Sequence, residues 1–490
     1  MSRANYNDRR EISFFTYLAL FFGIAAVCLV TVKFGYFFGI AVSFLPLIVY
    51  VFLKSLNNPS LAMMELFVFS YVIPIAGRYF YNLPVGIIMD VFVIFNLLSL
   101  IILSCYRKIG WKRGWNGLTV VSIIWLIYCI FQLFNPQSVS SAAWFATVRS
   151  YAFYPLALAI FIPVVFPHFK DLKILLVIWS VLTLLAVLKA LVQKYIGFTP
   201  IELDWLYNRG GRTTHMIGSV IRYFSFFTDA ANFGTNMGIS MVVLSISAFS
   251  FKNKWVKRYF LIVSALACYG LLLSGTRSSI VVPLVAYVIY ILMSKNGKVI
   301  LYGTVAIIVI VVFFRFTAYG QGNAIIRRTR SAFYPSNDKS FVVRLENQKK
   351  LKTYLADKPF GVGLGLGGGK ALEYAPYAFA SQIPTDSWFV MAWVESGIVG
   401  LGLRLILFMY VACYGAWVVM FRIKNKDVRR IISSFLGVYI GTLTNLYANE
   451  VLVFPNSTIF YMIQAFFFVA LLYDKDLLKE SETKTKKLEA

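Results

Sequence analysis

The chain has 490 residues, 59% of them hydrophobic and 17% aromatic, with a mean hydropathy of +0.72. A soluble domain is about 45–50% apolar, so a soluble globular protein is excluded. The net charge of +26, from 47 basic and 21 acidic residues, points to anionic lipid head groups and a polyanionic or phosphorylated substrate rather than nucleic acid.

The N-terminal MSRANYNDRRE precedes an apolar run without a small-residue cleavage pattern and reads as the approach to a retained first span. Apolar runs of spanning length, about 20 residues each, fall near 12–32, 34–53, 60–77, 84–105, 117–135, 150–166, 173–192, 230–250, 259–274, 279–294, 299–317, 397–421, 431–447 and 455–472. They predict an all-α polytopic membrane bundle of about fourteen helices. The domain boundaries follow. Residues 1–317 form a membrane bundle with an outer loop at about 193–229. Residues 318–396 form a large, partly helical outer loop with an interfacial helix, 397–472 the last three spans, and 473–490 a disordered tail.

Lys and Arg crowd one set of short loops: Arg107 to Arg113, Lys170 and Lys173, Lys252 to Arg258, Lys295 and Lys298, and Arg422 to Arg430. With fourteen spans these all face one side, which places both termini in the cytoplasm. The two long loops on the other side are basic as well. Long loops escape the positive-inside bias, so a bound anion is the sharper explanation for their charge, and a solvated basic surface the plainer one.

Several residues in these loops are candidates for chemistry. Arg222 lies in a polar stretch with Arg209, Arg212, His215 and Asp229, and Arg277 lies in the turn SGTRSS between two apolar runs. An Arg fork suits phosphate oxygens, although interface anchoring or snorkelling would also place an Arg there. In the large loop, 343–357 has helical spacing with Leu345, Leu351 and Leu355 as buried positions, and Arg344 lies beside them. The run from Gly361 through Gly363 and Gly365 to Gly369 formally contains GxGxxG. It has no βαβ context and is not a Walker A loop, so it reads as a flexible turn with exposed N–H groups. Asp386 and Glu395 bracket WFVMAWV, and PTDSW makes Asp386 a candidate helix cap as well as a functional carboxylate. Gly397 and Gly400 permit a bend or close packing. Among charges within spans, Glu65 and Asp90 read as register-fixing pairs, and Arg404 as a partner for Asp90 or an extension of the basic cavity. Two histidines in all exclude a His-rich metal site. The five cysteines lie in or at the edge of apolar runs and read as packing residues.

Four segments, in order, resemble the O-antigen ligase and polysaccharide polymerase superfamily of bacterial inner membranes. They are the Arg222 stretch with its DAANFG continuation, SGTRSS, KPFGVGLG and DSWFVMAWVESGIVGLGL, and together they span roughly 200–421. The resemblance implies that Arg222 and Arg277 engage the undecaprenyl pyrophosphate of a lipid-linked glycan, and that Glu395, Gly397 and Gly400 fill the acidic-and-glycine pattern. Ligases generally carry His where this chain has Asp386, which favours a polymerase of surface polysaccharide. The implied reaction is glycosyl transfer to a glycan or lipid acceptor at the outer face of the cytoplasmic membrane. Arginines (Arg222 and Arg277, joined by Arg344 or Arg404) would stabilise the leaving pyrophosphate without a metal or other cofactor. Asp386, then Glu395, then His215 are the candidate bases, and Trp388 and Tyr377 candidate sugar platforms. Implied partners are membrane lipids, a chain-length regulator and a flippase. A ligase and, from a different class, a lipid-linked oligosaccharide flippase are the alternatives. The long outer loop and the absence of a visible repeat argue against a flippase.

Overall fold

The computed structural model describes residues 23–25, 28–29, 32, 43, 45–80, 84–217, 220–334, 339–369 and 371–489. Among them, ten helices are long and apolar enough to cross a membrane. In chain order the helices that matter here are α1 (Leu45–Ser55), α2 (Pro59–Tyr79), α3 (Ile87–Tyr106), α4 (Gly117–Phe131) and α5 (Ser141–Val165, with a π turn at Arg149–Phe153). There follow α6 (Phe169–Tyr195), α7 (Pro200–Asn208), α8 (Ala230–Ser247), α9 (Lys254–Ser274) and α10 (Val281–Met293). The last six are α11 (Gly297–Phe316), α12 (Ala324–Ser331), α13 (Lys339–Tyr354), α14 (Trp388–Trp417), α15 (Lys426–Leu446) and α16 (Asn456–Glu489).

The expected helical membrane bundle is borne out, but ten spans rather than about fourteen meet the length and hydropathy requirement. The first expected span lies largely outside the described residues, and only the end of the second is described, as α1. The α10 segment is helical but short, and α15 is too polar to qualify on its own. Packing explains why α15 is nonetheless buried. Gly437 and Gly441, four residues apart, lie against α10, where a Cβ would approach the carbonyl oxygens of Ala286 and Val282 to 2.5 Å each. Such small-residue stripes let helix backbones touch where hydrocarbon offers no hydrophobic drive to associate. At the other extreme, α11 has no buried residue and lies at the edge of the bundle.

The interior contains a polar network. The Asn236 amide donates to Asn456 Oδ1 at 2.9 Å, Asn456 donates to the Asn232 carbonyl at 3.0 Å, and Asn445 donates to Thr235 Oγ1 at 2.8 Å. All of these residues are at most 1% exposed. The network ties α8 to α15 and α16, and Tyr71 of α2 joins it through Asn236. Of the two carboxylates expected to pair with charges, Asp90 does so, whereas Glu65, among the described residues, is met by a hydroxyl. Asp90 is held by Arg149 and Tyr154, and Glu65 accepts from Ser55 at 3.1 Å. The expected Asp90–Arg404 partnership is therefore corrected, because the π turn at the middle of α5 presents Arg149 to Asp90 instead.

The basic short loops gather at one end of the bundle. There Arg430 reaches the Phe249 carbonyl at 3.0 Å, His168 meets Asp476 at 3.5 Å, and Asp474 accepts from the Lys424 and Asn425 amides. Helix α16 runs on to Glu489, where the sequence reading placed a disordered tail from 473. The two long loops meet at the opposite end.

The last boundary to move is the start of α14, at Trp388 rather than 397. Its 30 residues are broken at Gly397, whose φ of 67° and ψ of −175° are non-helical. The break removes helical partners from the backbone on either side, and the loop replaces them. The carbonyls of Val394 and Glu395 accept from the Val362 and Gly363 amides at 2.9 and 3.0 Å. The Ser396 carbonyl accepts from the Tyr128 hydroxyl at 2.6 Å, and the Val399 amide donates to the Pro359 carbonyl at 3.2 Å. No side chain fits at the crossing: a Cβ on Gly397 would lie 2.0 Å from the Pro359 oxygen. Gly397→Ala is therefore expected to cost about 2–4 kcal/mol, combining left-handed strain and overpacking. A thermal melt of the detergent-purified protein measures it. A melt unchanged from wild type would show that the kink does not depend on glycine.

Candidate anion site at one end of the bundle

The site is built on the turn between α9 and α10. Helix α9 closes at Gly275, whose φ of 57° is left-handed, and residues 278–280 form a single 3-10 turn leading into α10. Arg222 follows a two-residue antiparallel ribbon in which Met216 pairs with Ile221, and its amide donates to the His215 carbonyl at 2.9 Å. From there its guanidinium donates to Thr276 Oγ1 at 2.6 Å, to the Thr214 carbonyl at 2.9 Å and to the Ser274 carbonyl at 3.4 Å. Arg328 of α12 reaches the same turn and donates from Nε to the Gly275 carbonyl at 2.5 Å. Arg277 lies within the turn. The structure thus brings Arg222 and Arg277 together, as expected, and adds Arg328, which the sequence reading missed. Its signal was the string RRTR at 327–330 in the large loop.

Burial, reinforced by repulsion from Arg328, Arg277 and Arg344, lowers the Arg222 guanidinium to about 10, against a smaller opposing pull from Asp229. It remains charged at neutral pH, and an anion bound among these residues would relieve the repulsion.

The re-entry segment forms the other wall. Asn347 of α13 donates to the Pro384 carbonyl at 3.4 Å, and Arg344 Nε of the same helix stands 4.0 Å from Asp386 Oδ2. Asp386 is exposed and has a φ of 52°, a region uncommon for non-glycine residues that Asp enters more readily than most. The surroundings here are specific. Thr385 donates to Glu450, while Ser387 donates to the Leu446 carbonyl at 3.1 Å. Ser387 also caps α14 by accepting from the Val390 amide, so the helix-cap role considered for Asp386 belongs to its neighbour. Asn449 joins the two walls. It donates to Ser278 of the arginine turn, and its carbonyl accepts from the Trp388 amide at 3.4 Å.

The other sequence candidates have different positions. Glu395 is 2% exposed, and its Oε1 accepts from the Gly365 amide at 3.1 Å, so it braces the glycine turn. Gly361, Gly363 and Gly365 all have positive φ, but the turn is buried, not a flexible loop with exposed amides. A Cβ would come within 2.5 Å of the Gly397 nitrogen at Gly361 and of the Ala143 carbonyl oxygen at Gly365. Arg404 is 4% exposed, donates to the Tyr461 hydroxyl at 3.0 Å, and lies 4.6 Å from the Trp125 ring and 4.7 Å from the Phe408 ring. Its charge is answered by ring faces inside the bundle, apart from the arginine cluster. Trp388, 3% exposed and packed against Tyr151 and Phe408, presents no platform for a sugar, whereas Tyr377 is exposed.

His215 is also structural. Its Nδ1 faces the Gly211 carbonyl at 3.0 Å, its Nε2 accepts from the Ala230 amide at 3.0 Å, and its ring lies edge-on to Trp205 and Phe224. This pattern fits the neutral ring, with the proton on Nδ1. Burial pushes its pKa down from 6.5 to about 4.

Residues 262–405 match the family described as O-antigen ligase. This stretch contains the Arg277 turn, α12, α13, the glycine turn and the first half of α14. Over 206 residues the chain is 26% identical to an O-antigen polymerase of Salmonella muenchen, covering 40% of this chain and 48% of that protein. The match thus spans about half the length of that relative. Both findings support the O-antigen ligase and polymerase superfamily, and the ten apolar helices make this a multi-pass membrane protein.

The His215 environment gives a pH prediction. Between 6.5 and about 4 the unfolded ring binds a proton that the folded ring does not, so stability falls as pH drops through that window. Thermal melts across this range should show the loss, and His215→Gln should flatten it. An equally steep loss in the variant would place its origin elsewhere.

Proposed function

We propose that the chain polymerises lipid-linked oligosaccharide units at the outer face of the bacterial cytoplasmic membrane by glycosyl transfer. The observation that carries this reading is the convergence of Arg222, Arg277 and Arg328 on one turn, with Arg344 and Asp386 on the facing wall. The likeness to an O-antigen polymerase and to the O-antigen ligase family supports the same reading.

In this proposal the donor is a glycan on undecaprenyl pyrophosphate. The acceptor hydroxyl oxygen forms a bond to the anomeric carbon while the bond from that carbon to the pyrophosphate oxygen breaks. The pyrophosphate leaves as an anion held by the arginines, where charge-assisted hydrogen bonds are strongest. Asp386, the exposed carboxylate beside Arg344, takes the proton from the acceptor hydroxyl. Its left-handed backbone fixes it at the mouth of the site, where an acceptor can reach it. Glu395 and His215 play no part as bases in this scheme, because each is committed to backbone amides. Arg404 belongs to the packing of the bundle.

The test is reconstitution of the purified chain in liposomes with a lipid-linked oligosaccharide pool, followed by sizing of the product. Wild type should give a ladder of lengthening chains. Arg222→Ala and Arg277→Ala should each reduce polymer by about 10²–10³ with the protein still folded in the membrane. Normal ladders from both would remove the pyrophosphate clamp. Asp386→Asn should retain donor binding and lose about 10²–10⁴ in turnover, and full activity would exclude it as the base. A single added unit on an acceptor would indicate ligation instead.

A further inference from the structure

At the end of the bundle opposite the arginine turn, a cavity open to solvent lies between α10, the start of α11 and the start of α15. Lys426, Arg429, Arg430 and Ser433 line it. Their spacing of i, i+3, i+4 and i+7 puts all four on one face of α15. Lys295 and Asn296 enter from the α10–α11 connection.

The N-termini of two long helices open here, α11 at Gly297 behind its cap Asn296 and α15 at Lys426 behind its cap Asn425. Each brings a partial positive charge and backbone donors. Among the described residues no carboxylate lines the cavity, and two adjoin it: Asp427, 3.1 Å from Arg430 Nη1, and Asp474, which accepts from the Lys424 and Asn425 amides.

An independent observation indicates a ligand. Ser433 is 1% exposed, yet its hydroxyl has no hydrogen-bond partner within the protein. It lines the cavity two turns below the start of α15. Arg429 Nε is likewise buried without a partner, although the same guanidinium donates from Nη2 to the Ile423 and Lys424 carbonyls at 2.8 and 3.1 Å. Leaving such groups unmet costs free energy, and a phosphate oxygen would satisfy both.

We propose that this cavity is a second anion site, distinct from the proposed catalytic one, that holds a phosphate group, and that its natural occupant is the head group of an anionic phospholipid. The flank favours a lipid over a soluble ion. The apolar helix α11, which starts at the cavity, has no buried residue, so its side is open to acyl chains.

The experiment uses the full chain purified in detergent. Phosphatidylglycerol, phosphatidylcholine and inorganic phosphate are added separately, with bound lipid read by native mass spectrometry and stability by thermal melt. Two variants accompany wild type: Lys426→Glu, which reverses an exposed charge, and Ser433→Ala, which removes a hydroxyl that no protein group uses. Wild type should retain phosphatidylglycerol in preference to phosphatidylcholine. Each variant should lower that retention by about fivefold while melting like wild type in the absence of lipid. Stabilisation by inorganic phosphate that is lost in both variants would support the phosphate site and assign it to a soluble anion. Equal binding of the two lipids with no effect of phosphate, or full retention of phosphatidylglycerol by both variants, would overturn the proposal.

Discussion

Asn236, in the second turn of α8, and Asn456, the first residue of α16, face each other in the buried interior, and the hydrogen bond between them is part of what holds the arginine end in place. In hydrocarbon no water can satisfy an amide, so each must find a protein partner. The partners here form a connected path. It runs from Asn456 to Asn232 and Asn236 in α8, across Thr235 to Asn445 of α15, and from Asn445 through Asn449 to Ser278 in the arginine turn. Individual interhelical hydrogen bonds in membranes are worth about 0.6–2 kcal/mol. Their value here is positional: helices that could slide on apolar faces are fixed in register just below the site.

This register matters because the site opposes itself. Arg222, Arg277, Arg328 and Arg344 repel one another, and Asp229, the nearest counter-charge to Arg222, is occupied in capping α8 through the Ala231 and Asn232 amides. An arginine cluster without ligand holds its arrangement only if the backbone beneath it is rigid. Arg222 is held through all three guanidinium nitrogens, by the carbonyls of Ser274 and Thr214 and the hydroxyl of Thr276, and Arg328 Nε is held by the Gly275 carbonyl.

Much of this was legible in the sequence, for identifiable reasons. Hydropathy located the spans, because burial in lipid demands apolar length regardless of tertiary detail. The Arg222 and Arg277 motifs pointed to residues that do meet, and Leu351 and Leu355 were rightly placed in a core while Leu345 is exposed. What failed depended on contacts distant in sequence. The glycine run reads as mobile until the backbone of 394–397 is seen filling it. His215 and Glu395 read as acid–base groups because residue type shows chemistry, not partners. Arg404 was expected to pair with Asp90 or to extend the basic cavity, yet five aromatic rings from four helices lie within about 6 Å of it. Arg328 was obscured by the many other cations of the basic loop.

The break at Gly397 has a mechanical consequence. The backbone of 359–363 is bonded to both sides of the break, so the glycine turn and the half-helix that begins at Trp388 form one stiff piece. Asp386 sits at the tip of that piece, ten residues from Ser396, the last residue before the pivot. With bonds on both sides of Gly397, the loop around Pro359 sets the angle between the two halves of α14 and so the direction from which the carboxylate is presented.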